Sequence, residues 1–210
     1  RGLNMKRSPW TNHQQKMNEE KWEKLLKWRW VFNWLPFVDF ALVAGSMAMG
    51  EETEDSDFDI ILGCKKGRMF TARAFTVALF GILGKRRKST DGKKESKDKF
   101  CFSHFVTPES YTLRPPYNAY WRALYQNLVP IYGKKEAVQQ FFETNTWAQD
   151  TPRGSTSPIL NTTGRDAAKR HRKSNLEILG SIFRWKWELI LRTPLGNLIE
   201  NILKKYQLRR

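Results

Sequence analysis

The hydrophobic pattern of the chain changes period several times, and each change marks an element. Residues 11–35 place Trp22, Leu25, Leu26 and Trp30 near helical spacing. With Thr11 or Asn12 as N-cap and Pro36 as the stop, that spacing predicts a helix, although Trp28 and Trp34 fall off its apolar face. "DFALVAG" (39–45) and "DFDIILG" (57–63) are short, nearly continuous apolar runs bounded by turn residues, the pattern of buried strands. "RMFTARAFTVALFGIL" (68–83) is apolar almost all round and predicts a buried helix. "KFCFSHFVT" predicts a third strand, and "NAYWRALYQNL" and "KKEAVQQFFETN" predict two helices. Residues 148–165, "AQDTPRGSTSPILNTTGR", carry the Gly, Pro, Ser and Asn content of a linker. A last helical region contains "LEILGSIFRWKWELIL" and breaks at Thr193-Pro194. There Pro194 suits the first position of a new helix over "PLGNLIENILKKYQL".

This order predicts an α+β fold: a small mixed β-sheet packed with helices, followed by C-terminal helices. Its parts are an N-terminal helical segment (1–38), a core (39–147), a linker (148–165) and basic C-terminal helices (166–210). Composition agrees with a globular chain, at 40% hydrophobic and 28% charged residues over 210 positions. The weakly charged run 31–50 contains Asn33, Pro36 and Asp39 and breaks into separate elements, which argues against a membrane span there. Cys64 and Cys101 lie in apolar strand-like runs without metal-ligand spacing, as reduced core cysteines of a cytoplasmic protein would.

Charge alters the picture. A net +16 and a pI near 10.0 give a field that attracts polyanions, either nucleic acid or an anionic membrane surface. Residues 84–99, "GKRRKSTDGKKESKDK", hold eight basic and three acidic residues and no apolar one, and predict a mobile basic loop. Lys85, Arg86, Arg87, Lys88, Lys93 and Lys94 there, with Arg170, Arg172 and Lys173 further on, are candidate phosphate contacts. Trp185 and Trp187 interleave with Arg184 and Lys186, a pattern that can stack on single strands or lie on an anionic membrane.

The candidate chemistry lies at Asp57 and Asp59. Alternate residues of a strand share a face, so the two carboxylates project together while Phe58 and Ile60 point into the core. Two like charges so close repel unless a cation lies between them. Hard oxygen ligands that leave room for water and phosphate suit Mg²⁺ or Mn²⁺. Upstream, Gly45-Ser46 ends a strand and begins a turn where phosphate can approach the backbone and the hydroxyl can donate.

Taken together, "GSMAMGEETEDSDFDIIL" resembles the nucleotidyltransferase superfamily, which includes DNA polymerase beta, poly(A) polymerases, CCA-adding enzymes and minimal nucleotidyltransferases. More loosely, residues 20–147, with "RMFTAR", "KFCFSHF" and "FFETNTW", are similar to uncharacterised bacterial nucleotidyltransferase-like proteins. The resemblance implies that Gly45 and Ser46 contact the triphosphate of an NTP such as ATP, and that Asp57 and Asp59 bind the catalytic metals. The implied reaction moves a nucleoside monophosphate to an acceptor hydroxyl, a nucleic-acid 3′ end first, otherwise a protein or small molecule. The family also supplies a third carboxylate from a later strand, and "KFCFSHFVT" contains no acid. Asp98 just before it is the candidate third ligand; His104 within it reads first as a packed or hydrogen-bonded residue. The missing acid keeps open a second class, a catalytically degenerate module that binds nucleic acid.

Overall fold

The computed structural model describes residues 12–148 and 175–209. The expected linker beyond Ala148, and Arg170, Arg172 and Lys173, lie outside them.

Helix α1 (Asn12–Leu26) buries Asn18, Lys21, Trp22 and Leu25, one stripe at helical spacing. It stops nine residues short of the expected end, and Arg29–Trp34 continues as a 3₁₀ segment. "RWVFNW" is all β-branched, aromatic or otherwise modest helix formers apart from its first residue. Tightening to three residues per turn buries Val31 and Phe32 while leaving the tryptophans at the margin.

The sheet is mixed. Strands β1 (Val38–Val43), β2 (Phe58–Cys64), β3 (Phe100–Val106) and β4 (Val129–Gly133) lie in the order β3-β2-β1-β4. β1 is antiparallel to β2 and to β4, whereas β2 and β3 run parallel. A single parallel bridge from Arg86 to Phe100 adds one more rung outside β3. Between β1 and β2 runs a short helix α2 (Gly45–Met49), so Gly45-Ser46 opens a helix where a turn was expected. Gly50, left-handed at φ 67, closes it.

Both faces of the sheet are covered, which explains why β1 and β2 read as continuous apolar runs. One face joins Ala41, Val43, Phe58, Ile60 and Leu62 to Trp22 and Phe32, to Phe80 of α3 (Met69–Ile82) and to Leu191. The other joins Phe40, Leu42 and Ile61 to Leu124 and Tyr125 of α5 (Ala119–Asn127) and Phe141 of α6 (Lys135–Thr144). Helix α3 is less buried than its sequence suggests. Thr71, Ala72, Thr76 and Phe80 form its inner stripe, and Ile82 is open to solvent.

Two C-terminal helices, α7 (Asn175–Leu191) and α8 (Pro194–Leu208), are fastened to this core by carboxylates. Glu200 of α8 accepts hydrogen bonds from the Phe70 and Thr71 amides at the start of α3, at 2.9 and 2.8 Å. It also accepts from the Thr71 hydroxyl at 2.5 Å. That satisfies amides which a helix leaves without internal partners. Glu188 of α7 accepts from the Phe37 amide at 3.0 Å and from Lys65 at 2.6 Å.

Candidate functional site

Asp57 and Asp59 flank Phe58 at the start of β2, and Phe58 is fully buried in the core behind them. The strand alternation therefore does what the sequence requires: anchoring Phe58 and Ile60 in the core turns both carboxylates to the opposite face. β1 returns toward them through Ala44, whose amide donates to the Asp59 carbonyl at 2.9 Å. The next residue, Gly45, is left-handed at φ +62, and a Cβ built on it would lie 2.2 Å from Asp59 Oδ2. The glycine thus brings bare backbone against the carboxylate, which no larger residue permits. Gly45→Ala is expected to force the Asp59 carboxylate aside and to strain a left-handed backbone by about 1–2 kcal/mol. Mn²⁺ affinity by calorimetry should fall at least tenfold; unchanged affinity would mean that the close approach has no bearing on metal.

The loop between Gly50 and Asp57 is held by α1. Asn18 donates to Glu52 Oε1 at 2.6 Å, and Lys21 donates to the Ser56 carbonyl at 2.8 Å. The Ser46 hydroxyl reaches the Ser56 hydroxyl at 3.4 Å, joining the α2 end of the site to the loop. Glu52 is buried, and that burial raises its carboxyl above the ordinary value against the Asn18 hydrogen bond.

The third position beside the pair is occupied by a cysteine. In the parallel register of β2 and β3, Asp59 stands opposite Cys101. One ligand atom from each of Asp57, Asp59 and Cys101 lies within 4.8 Å of the others. Burial and the nearby Asp57 charge push the Asp59 carboxyl above its usual range, against the Cys101 hydrogen bond and the Arg87 and His104 charges. Burial and the Asp59 charge push the Cys101 thiol up to about 11, so it is a protonated thiol donating to Asp59 at neutral pH. Such a thiol is a poor ligand for a hard cation. The donor set that fits Mg²⁺ or Mn²⁺ is therefore the two carboxylates, with the remaining coordination left to water and phosphate oxygens.

Asp98, the expected third ligand, is engaged elsewhere. Its carboxylate binds Lys21 at 2.7 Å and Lys24 at 2.9 Å. Burial would raise its pKa, but these two lysine hydrogen bonds outweigh burial and hold the carboxyl below the usual range. Its role is to tie α1 to the segment before β3. His104 is exposed, with its ring edge-on to Trp121, and stands outside the three-residue group.

The basic segment 84–99 is not the free loop its composition suggests. The Arg87 amide donates to the Phe100 carbonyl, the Phe100 amide donates to the Lys85 carbonyl, and a short helix α4 (Lys93–Ser96) follows. Lys99 and the Lys88 amide both reach Asp91, and the Gly92 amide reaches Glu95, so these two acids act as internal ties. Lys85 lies over the Trp28 ring at 5.1 Å, while Lys88, Lys93 and Lys94 are exposed. Arg86 carries the backbone bridge to Phe100. Arg87 is the one that enters the site, with its guanidinium 2.7 Å from Asp57 Oδ2. Pairing with β3 therefore carries a cation to the carboxylates, which a reading of 84–99 as unstructured could not place.

The chain matches no protein-family model, no curated protein and no solved structure. What the fold and the site define together is an α+β protein with a carboxylate pair, a glycine pressed against it and an arginine on its rim.

Proposed function

We propose that the protein is a metal-dependent nucleotidyltransferase that moves a nucleoside monophosphate from an NTP to an acceptor hydroxyl. The observation carrying this reading is the paired carboxylates of Asp57 and Asp59 with the Gly45 backbone packed against Asp59. Asp57 and Asp59 would hold Mg²⁺ or Mn²⁺. Such an ion, when bound, neutralises phosphate charge and stabilises the oxygens of an in-line displacement. The Gly45 backbone, pressed against Asp59, and the Ser46 hydroxyl would face the phosphates. Arg87 pairs with Asp57 in this structure and would exchange that partner for a phosphate oxygen, as a charge-assisted hydrogen bond.

A nucleic-acid 3′ end is the favoured acceptor. Arg87 ties the segment bearing exposed Lys88, Lys93 and Lys94 to the rim of the site, where a phosphate backbone would release counterions on binding. Cys101 in place of a third acid supports the second reading, a module that binds nucleic acid without turnover. The protein with labelled NTPs, Mn²⁺ or Mg²⁺, and RNA, DNA or no acceptor distinguishes them. Metal-dependent label transfer, weakened by Arg87→Ala and by salt, is the expected result. Salt-sensitive binding without transfer to any acceptor would favour the module, and neither transfer nor binding would sink both readings.

A further inference from the structure

The C-terminal helices are amphipathic in an unusual sense. Every acid between residues 175 and 209, namely Glu177, Glu188 and Glu200, is buried against the core, at 5%, 8% and 8% exposure. The outward faces carry apolar residues instead. On α7, Ile178, Ile182, Trp185 and Leu189 recur at helical spacing and are all exposed. On α8, Leu195, Leu198, Ile202 and Tyr206 do the same. Among the described residues, the exposed large apolar side chains lie on these two helices, with Ile82 and Tyr120 the exceptions. The charges left outside are basic: Lys186, Arg192, Lys204, Lys205 and Arg209 are exposed.

We infer that α7 and α8 form a docking surface for an anionic phospholipid bilayer. Apolar stripes run the length of both helices, so the helices would lie in the plane of the interface rather than cross it. Indeed, no helix among the described residues is long and apolar enough to cross a membrane. Leucine and isoleucine would enter the headgroup and upper acyl region, and Trp185 and Tyr206 would sit at the boundary that suits amphipathic rings. The exposed lysines and arginines would reach anionic headgroups with their stems along the apolar surface.

Charge selects this occupant over the alternatives. A second copy would bring together two chains of +16, and the outward face offers no acid to pair with the partner's bases. Nucleic acid is recognised by planar stacking and phosphate contacts, and these stripes are mainly aliphatic. An anionic bilayer meets both the apolar stripe and the basic rim.

Flotation of the full chain with phosphatidylcholine vesicles, with and without about one third phosphatidylglycerol, tests the assignment. Recovery with the anionic vesicles and little with the neutral ones is expected. The variant carrying Ile182→Glu, Trp185→Glu, Leu198→Glu and Ile202→Glu should bind at least tenfold more weakly, with its circular dichroism unchanged. As a measurement free of acid insertion, brominated lipid should quench tryptophan emission, and Trp185→Phe should remove part of that quenching. Recovery of the quadruple variant equal to the parent chain would show that basic charge alone holds the vesicle, and would overturn the inference. So would absence of vesicle binding, which cover by a second copy or another segment of this chain would produce. A light-scattering dimer dissolved by the same four substitutions would assign the face to a second copy instead.

Discussion

Asp57→Asn and Asp59→Asn should each abolish metal-dependent nucleotide binding and transfer while leaving the fold intact. On the proposed reading, loss of one of the two carboxylates removes transition-state charge stabilisation of several kcal/mol, about 4 kcal/mol for a thousandfold fall in rate. The apo protein should respond in the opposite sense. Burial and the Asp57 charge raise the Asp59 carboxyl, so its ionised form is disfavoured in the folded state. A raised carboxylate pKa means that folding binds the proton more tightly, and the ionised group costs stability at neutral pH. Asp59→Asn removes that cost, and its melting temperature should equal or exceed the parent's at pH 7. Asp57→Asn loses its pair with Arg87, which is 41% exposed, and a pair of that kind contributes little. Calorimetric titration of Mn²⁺ with a non-hydrolysable NTP, beside thermal melts without metal, separates the two effects. Wild-type metal binding by both variants would remove the site from Asp57 and Asp59; a collapse of the apo melt would make them structural residues.

The parts of this site legible in the sequence were those decided by strand periodicity. Phe58 and Ile60 must enter the core, so Asp57 and Asp59 must face the other way, whatever the rest of the chain does. Cys101 was not legible, because its place beside Asp59 depends on the register of the parallel β2–β3 pair. Nothing local to "KFCFSHFVT" states that register. Asp98, the acid nearest to that strand in the sequence, has its partners, Lys21 and Lys24, more than seventy positions earlier. β4 is illegible for a different reason. "VPIYG" is short and contains Pro130, which argues against a central strand, and the structure indeed places it at the sheet edge. The inward acids of α7 and α8 were hidden too. An apolar stripe on an isolated helix is ordinarily assigned to the core, and only the buried contacts of Glu188 and Glu200 reveal which face turns inward.

Glu188→Ala should be among the most destabilising single substitutions outside the sheet. The carboxylate links three separate parts of the chain: the Phe37 amide before β1, Lys65 after β2, and Arg192 at the end of α7, which reaches it at 3.3 Å. Phe37 is left-handed at φ 63, so a conformation that disfavours a phenylalanine is held partly by that amide bond. Removing the carboxylate leaves a buried amide without its acceptor and a partly buried lysine without its counter-charge, roughly 2–4 kcal/mol together. For a chain of this size that lowers the melting temperature by about 4–16 °C. Glu188→Gln retains an acceptor for the Phe37 amide and should lose less. The pH dependence then identifies the charge. Burial alone would raise the Glu188 carboxyl. The Lys65 and Phe37 hydrogen bonds and the Lys65 and Arg184 charges outweigh it, so the folded-state pKa lies below the ordinary glutamate value of 4.5. A depressed pKa contributes stability that is present in full above the ordinary value and is lost as pH falls through the folded one. The stability gap between the parent chain and Glu188→Gln should therefore be constant at neutral pH and close progressively as pH falls below the ordinary glutamate value and through the lower folded-state one. Denaturant melts across that range decide the matter: a gap that stays open under acid would assign the loss to packing, and a gap absent at pH 7 would remove Glu188 from the ties that hold α7 to the sheet.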